Sequence, residues 1–334
     1  STSKYSSMKE KEIRPKKVFE EFLSLAASDV QTFFSNAPRR GINCPACEVV
    51  GDLAFSKNGF DYALCPECQT LFVSPRPEAD TFSRYYTNAP SVKFWASNFY
   101  RMTADARREK LWKPKAQMVW QTLEQCNAVH HHVIDIGGGY GIFAEEMGLL
   151  CGKLVTIIEP GPHFSEVCRN RGLKVIEKFL EGVEHADLPE GPKAFTSFEL
   201  LEHLHDPAGF LRHLHKLMQP GDLFLFTTLS GTGLDILTLW EDSKSVSPPH
   251  HLNFLNPKSV IILLERIDFE CLSVTTPGKL DLDIMLNNRS KIKDRFWRTF
   301  IEHASKETRS RWQEWISDSG WSSHMVICCR KPHK

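Results

Sequence analysis

Four cysteines carry the most specific chemical signal in this chain. Cys44-Pro-Ala-Cys47 and Cys65-Pro-Glu-Cys68 are two C-x-x-C knuckles with seventeen residues between them. This is the spacing of a four-thiolate zinc site, in which each knuckle offers two sulfurs to a tetrahedral ion at about 2.3 Å. Four thiolates leave no coordination position for water or substrate, so the ion is expected to be structural. A redox role requires one C-x-x-C opening a thioredoxin-like helix, whereas two sit in turns here; unligated core cysteines are the plainer alternative. The intervening Leu53–Cys65 reads as a hairpin around Lys57-Asn58-Gly59. A module this small has little core and is expected to depend on the ion. The other six cysteines lack regular spacing and fall in helix-like or strand-like stretches, which argues against a disulfide framework.

The second signal is Val133-Ile-Asp-Ile-Gly-Gly-Gly-Tyr-Gly-Ile-Phe143, a buried-strand pattern running into a glycine loop and then a helix. Asp135, Gly137, Gly139 and Gly141 give the form D-x-G-x-G-x-G, and glycine lets a backbone turn tightly and approach a ligand with no Cβ in the way. The dinucleotide pattern G-x-G-x-x-G fails because position 142 is Ile, and the Gly-Lys-Ser/Thr of a phosphate-binding P-loop is missing. Eighteen residues beyond Gly141, a second apolar run ends in Glu159. A carboxylate at such a strand end can accept both hydroxyls of a ribose.

These residues need a scaffold, and the chain supplies an alternating one. From His132, short apolar runs (VIDI, LVTIIEP, LKVIE, AFTSFELL, DLFLFTTL) are separated by helical stretches, which predicts βαβ units and a mostly parallel sheet. FECLSVTT and HMVICCRK supply two closing strands. The expected organisation is an N-terminal helical segment at 1–40, the zinc module at 41–77, a helical connector and cap at 78–127, and an α/β domain at 128–334 with a helical insertion at 278–320. Hydrophobic residues make up 41% of the chain and charged residues 25%, so a folded core is expected. Lys+Arg and Asp+Glu both number 41, and this balance disfavours a nucleic-acid partner. No apolar run is long enough to span a membrane, and the polar, basic N-terminus is not followed by a signal-peptide core, so a cytoplasmic protein is expected.

Four motifs in order, VIDIGGGYG, TIIEP, FELLEHLHDP at 198–207 and LMQPGDLFLFTT at 217–228, give residues 115–331 a pattern that resembles class I methyltransferases. The resemblance implies a Rossmann-like α/β sheet, mostly parallel with its last strand antiparallel, preceded by a small zinc ribbon, and it implies S-adenosyl-L-methionine as cofactor. Asp135 and the three glycines would then cradle the methionine part, and Glu159 would hold the ribose. Phe198 and Glu199, with Leu200, would line the sulfonium side, and Phe179 is the candidate to stack near the adenine. Asp222 departs from the usual second glycine of the Pro-Gly-Gly turn, and the adenine-contacting acid is not placed. The zinc module ahead of such a domain is similar to that of bacterial sugar C-methyltransferases and of enzymes encoded with surface-glycan genes, and more distantly to ribosomal RNA guanine methyltransferases.

Ligands in open α/β sheets bind beyond the carboxyl ends of the strands, which places Glu202 and His203 near the transferred methyl. An acceptor hydroxyl or carbon acid needs a base, and histidine has a suitable pKa; Glu202 would orient or charge-tune it. The alternative is that His203 caps a helix or packs. His251, of the pair in Ser247-Pro-Pro-His-His-Leu-Asn-Phe254, is the candidate to face the acceptor, against solvation or helix capping. The 278–320 insertion is expected to act as a lid or substrate subsite, with Arg289, Lys291, Lys293 and Arg295 facing an anionic group or solvent. The reading is a methyltransferase acting on a small molecule, with a sugar, nucleotide sugar or glycan precursor as acceptor; O-, N- and C-methylation all stay open. The alternatives are an RNA methyltransferase gripping RNA through the ribbon, and a zinc-ribbon binding protein with an inactive domain. Only Lys57 and Arg76 are basic within 41–77, which disfavours the RNA grip.

Overall fold

The computed structural model describes residues 15–333; the first fourteen residues of the N-terminal segment lie outside the described residues. The chain divides into two compact units. One comprises residues up to Asp105 with Leu229–Ser259 and Thr275–Met325; the other comprises Ala106–Thr228, Val260–Val274 and the stretch from Val326. The division falls inside the 78–127 stretch.

The second unit is built on seven strands: β1 His132–Ile136, β2 Thr156–Ile158, β3 Lys174–Ile176, β4 Lys193–Phe198, β5 Leu223–Leu229, β6 Glu270–Thr275 and β7 His324–Arg330. Their order is β6-β7-β5-β4-β1-β2-β3, and the strands from β5 to β3 pair in parallel. At the start of β5 and the end of β7 the direction reverses: Gly221 N–H donates to the Lys331 carbonyl, and Lys331 N–H to that of Asp222. The expected mostly parallel sheet with an antiparallel last strand is therefore present. β4 and β5 are buried along almost their whole length, as strands covered on both faces must be. Val133, Ile157, Ala194, Leu223 and Leu225 pack with Ala116, Val119 and Leu123 of the helix Lys113–Gln125 and with Phe143 and Met147 of the helix Ile142–Cys151. Each of the larger of these side chains stabilises the unit by about 1.5–3 kcal/mol. The strand order reverses at β1, the point at which open α/β sheets bind ligands beyond the carboxyl ends of their strands.

In the first unit the expected hairpin is present. Asp52–Lys57 pairs antiparallel with Phe60–Leu64, and Asn58 and Gly59 both turn through the left-handed region (φ 48° and 76°), as a tight hairpin requires. Leu71–Val73 adds a third strand, and Asn253–Phe254 a fourth, registering Asn253 with Phe72 and Phe254 with Leu71. The fourth strand registers with residues 181 and 183 positions away along the chain, so no local pattern announces it. The module also has more core than its length implies. Phe60, Tyr62, Leu71 and Val73 pack with Val30 and Phe34 of the helix Lys16–Phe34, with Phe82 and Tyr85, and with Ile236, Val246, Leu252 and Phe254. Residues 278–320 form the helices Asp281–Asn287, Arg295–His303 and Lys306–Asp318 over a separate apolar cluster that includes Leu239, Met285, Ile301 and Ile316. Among the described residues no helix is long and apolar enough to cross a membrane.

Candidate functional site

The glycine loop takes its shape from backbone constraints that glycine alone meets comfortably. Gly137, Gly139 and Gly141 all have φ between 51° and 74°, a region that costs an L-residue about 1–2 kcal/mol. Two of the loop's glycines are also needed for packing. A Cβ on Gly138 would lie 2.7 Å from Ile157 Cγ2, and one on Gly141 would lie 2.5 Å from Leu173 Cδ1 and 3.0 Å from Cys168 Sγ. Gly139 differs, because a Cβ there meets nothing within 4 Å. Its open face is the cradle that a ligand lying along the loop would fill.

Glu159 closes the loop from the end of β2. Its carboxylate accepts the N–H of Gly139 at 3.0 Å on one oxygen and that of Gly161 at 2.9 Å on the other. Burial pushes its pKa up, and the two N–H bonds act against that rise. Each carboxylate oxygen keeps a further lone pair, so the group can still accept two ribose hydroxyls. Asp135 accepts the Thr196 hydroxyl at 2.9 Å and is pushed up to about 7 by burial, assisted by the charge of Glu159. These groups fit the adenosyl and methionine parts of S-adenosyl-L-methionine. Phe179 lies just past β3 and is 69% exposed, a ring presented to whatever occupies that side.

At the end of β4 the residues do different work from one another. The Phe198 ring packs 4.5 Å from that of Phe143 and 5.8 Å from that of Trp112, against the core under the sheet's carboxyl edge. Glu199 turns through φ 47° and is held by Lys115, whose ammonium is 2.7 Å from both carboxylate oxygens and about equally close to the Trp112 and Phe198 rings (4.9 and 5.0 Å). Lys115 was not visible in the sequence: its partner is 84 positions away and no motif marks it.

Glu202 is buried (1% exposed) and accepts the Thr228 hydroxyl at 2.8 Å. Burial, then the nearby Glu199 charge, raise its pKa to about 8, so at neutral pH it is a neutral acid. A His203 ring nitrogen lies within 4.8 Å of its carboxylate, and His203 is half-buried in the turn Leu201–His203. The following helix, Pro207–Leu217, is capped by Asp206, which accepts Gly209 N–H at 2.8 Å; the capping role considered for His203 is filled by another residue.

In the first unit, His250 Nε2 lies 2.8 Å from the Tyr85 hydroxyl, with its ring against Phe22. His251 Nδ1 lies 2.5 Å from the Ser245 carbonyl. A carbonyl only accepts, so Nδ1 carries a proton. The next helix is capped by Asn256, not by either histidine: Asn256 Oδ1 accepts the N–H groups of Lys258 and Ser259 at 3.0 and 2.9 Å.

The four cysteines converge. Cys44 and Cys68 sulfurs are 3.5 Å apart, Cys47 and Cys65 3.3 Å, Cys47 and Cys68 3.5 Å, and all four lie within 4.8 Å of one another. A tetrahedral zinc–thiolate site has sulfur edges of about 3.8 Å, so the set fits the ion. The two knuckles are alike: Glu48 N–H bonds back to the Cys44 carbonyl and Gln69 N–H to that of Cys65, with Glu48 and Gln69 both left-handed (φ 65° and 59°). The Cys68 contact, then burial, push the Cys44 thiol up, while the same contact holds the Cys68 thiol down.

A ubiquinone biosynthesis O-methyltransferase of Vibrio atlanticus is 28% identical over 154 residues, 43% of this chain and 65% of that protein. One of Xanthomonas oryzae is 33% identical over 105 residues, 30% of this chain and 44% of the relative. The chain thus spans less than two thirds of the length of these curated relatives. Among solved structures, an S-adenosylmethionine dependent methyltransferase from Mesorhizobium loti is 14% identical with a TM-score of 0.42, covering 63% of this chain and 96% of that one. Residues 94–274, just over half of the chain, match the family described as a methyltransferase domain. A match of that extent, over the segment holding the glycine loop, Glu159 and the strand-four turn, means that the chain belongs to this methyltransferase domain family, in its class I, S-adenosylmethionine-dependent form.

Proposed function

We propose that this protein transfers a methyl group from S-adenosyl-L-methionine to a small-molecule acceptor, with a sugar, nucleotide sugar or glycan precursor as the acceptor class. The observation that carries the cofactor assignment is the open face of Gly139 beside Glu159, whose carboxylate is already aligned by two backbone N–H bonds. The cofactor supplies an electrophilic methyl on a sulfonium. Everything else falls to the chain: Gly137, Gly139 and Gly141 shape the cradle, Glu159 binds the ribose, Phe179 covers the adenine, and the Lys115–Glu199 pair fixes the floor at Phe198. His203 is the base that removes the acceptor proton, and Glu202, neutral at pH 7, orients rather than charges it. His251 serves acceptor binding. Residues 41–77 form the metal module, and the α/β unit holding the glycine loop, Glu159 and the strand-four turn binds the cofactor.

The acceptor class rests on charge. Arg76 is 2% exposed and its guanidinium is spent on the Leu252 carbonyl and Asn253 Oδ1, while the Lys57 ammonium lies 2.7 Å from the Ser243 carbonyl. Neither basic residue of the module is left for a phosphate backbone, which argues against the RNA grip. Oxygen is the favoured acceptor atom, since the curated relatives are named as O-methyltransferases and a hydroxyl is the acceptor that a histidine base assists. Calorimetry with S-adenosylhomocysteine tests the cofactor half; the absence of binding rejects it. Turnover with nucleotide sugars against phenolic acceptors tests the other, and methylation of phenols alone would replace the sugar assignment.

A further inference from the structure

The zinc module and the histidine loop are tied by more bonds than a peripheral metal clip requires. Tyr62, fully buried in the hairpin, donates its hydroxyl to the His251 carbonyl at 2.8 Å. Val73 N–H donates to the next carbonyl, Leu252, at 2.9 Å. Arg76 donates to that carbonyl at 3.2 Å and to Asn253 Oδ1 at 2.8 Å. Asn253 and Phe254 then enter the module's sheet beside Phe72 and Leu71. Beyond them, Asn256 Nδ2 donates to the carbonyl of Cys68, itself a metal-ligating residue, at 2.7 Å, and Lys258 donates to that of Glu67 at 2.8 Å. The loop holding His251 is thus bonded at its carbonyls by module residues and anchored downstream to the backbone of the second knuckle.

We infer that the zinc module is the positioning device for His251, so that metal occupancy fixes the tautomer and direction of its imidazole. The physical link is short. Ligation of Cys65 and Cys68 sets the knuckle turn, whose carbonyls at Glu67 and Cys68 then stand where Lys258 and Asn256 reach them. Asn256 uses its other side-chain atom to cap the helix Pro257–Glu265, so one side chain couples the knuckle to the end of the loop. The other end is set where Nδ1–H of His251 meets the Ser245 carbonyl. Tyr62, Arg76 and Asn256 are positioning residues on this account, and the inference builds on the acceptor-binding role given above to His251.

The test is the imidazole spectrum of full-length protein carrying nitrogen-15 histidine, with His251 assigned by its disappearance in His251→Gln. In zinc-loaded protein His251 should show the Nδ1–H tautomer. Tyr62→Phe and Asn256→Ala, each verified by metal analysis to retain zinc, should shift that signature towards a tautomer mixture, and chelation of the wild type should abolish it. S-adenosylhomocysteine affinity should stay unchanged in both variants. An unaltered His251 signature in both zinc-loaded variants overturns the inference, as does its persistence after zinc removal. Should chelation unfold the chain, the two zinc-loaded variants decide alone. Failure of the wild type to bind S-adenosylhomocysteine rejects the functional reading instead, and leaves the tautomer result standing.

Discussion

The cofactor crevice and the zinc module both hold polar groups where water is scarce, by opposite means. The crevice does so with backbone geometry: Glu159 is satisfied by the N–H groups of Gly139 and Gly161, and Asp135 and Glu202 are driven towards their neutral forms by burial. The module gathers four sulfurs that stay deprotonated together only around a cation. The crevice is therefore shaped before any ligand arrives, whereas the module's final geometry waits for its ion. Its apolar face is nonetheless sealed into a larger cluster with Phe34, Tyr85 and Phe254.

The largest expected effect breaks the module. Cys44→Ser/Cys65→Ser should abolish zinc binding and destabilise the first unit by well over the ~1 kcal/mol of an ordinary substitution, seen by metal analysis and thermal melting. Full zinc retention would remove these ligands. Next comes catalysis in the crevice. His203→Ala should leave cofactor affinity near that of the wild type while lowering the rate about 10²–10⁴-fold and removing the acid limb of the pH profile. A modest rate loss accompanied by a lower melting temperature would make His203 a packing residue.

Glu159→Gln should weaken S-adenosylhomocysteine binding by about 1.5–3 kcal/mol, because charged hydrogen bonds to the ribose become neutral ones; equal calorimetric affinity would take Glu159 out of that role. Two glycines sharpen the contrast between shape and ligand. Gly139→Ala and Gly141→Ala both place an L-residue at positive φ, at about 1–2 kcal/mol. Only Gly141→Ala also collides with Leu173 and Cys168, so it should lose more stability in urea. Gly139→Ala should lose mainly cofactor affinity. The reverse pattern would mean that the ligand does not lie along Gly139.

The last expected effect is electrostatic. Asp135, at about 7, and Glu202, at about 8, keep their protons in the folded chain over a range where the unfolded chain has lost them. Stability should therefore fall as pH rises from the ordinary carboxylate range to about 8, by up to ~1.4 kcal/mol per pH unit for each group. Glu202→Gln should flatten the upper part of that slope. A wild-type stability that is level across this window contradicts the assignment.

Much of this was determined locally. The glycine positions, the acid at the end of the second strand and the paired knuckles are short-range patterns, because a loop that needs positive φ must use glycine and a metal knuckle needs its two sulfurs on one turn. The alternation of strands and helices likewise sets the sheet, since period and length of apolar runs are local properties. What the sequence left open was decided by pairings across long stretches of chain. Lys115 finds Glu199, Asn253–Phe254 completes the module's sheet, and Asp206 and Asn256, not the neighbouring histidines, cap the two helices. The roles of buried acids belong to the same class. Glu202 has the composition of a charged partner for His203, but its protonation state follows from how much water the folded chain removes from it, and only tertiary packing sets that.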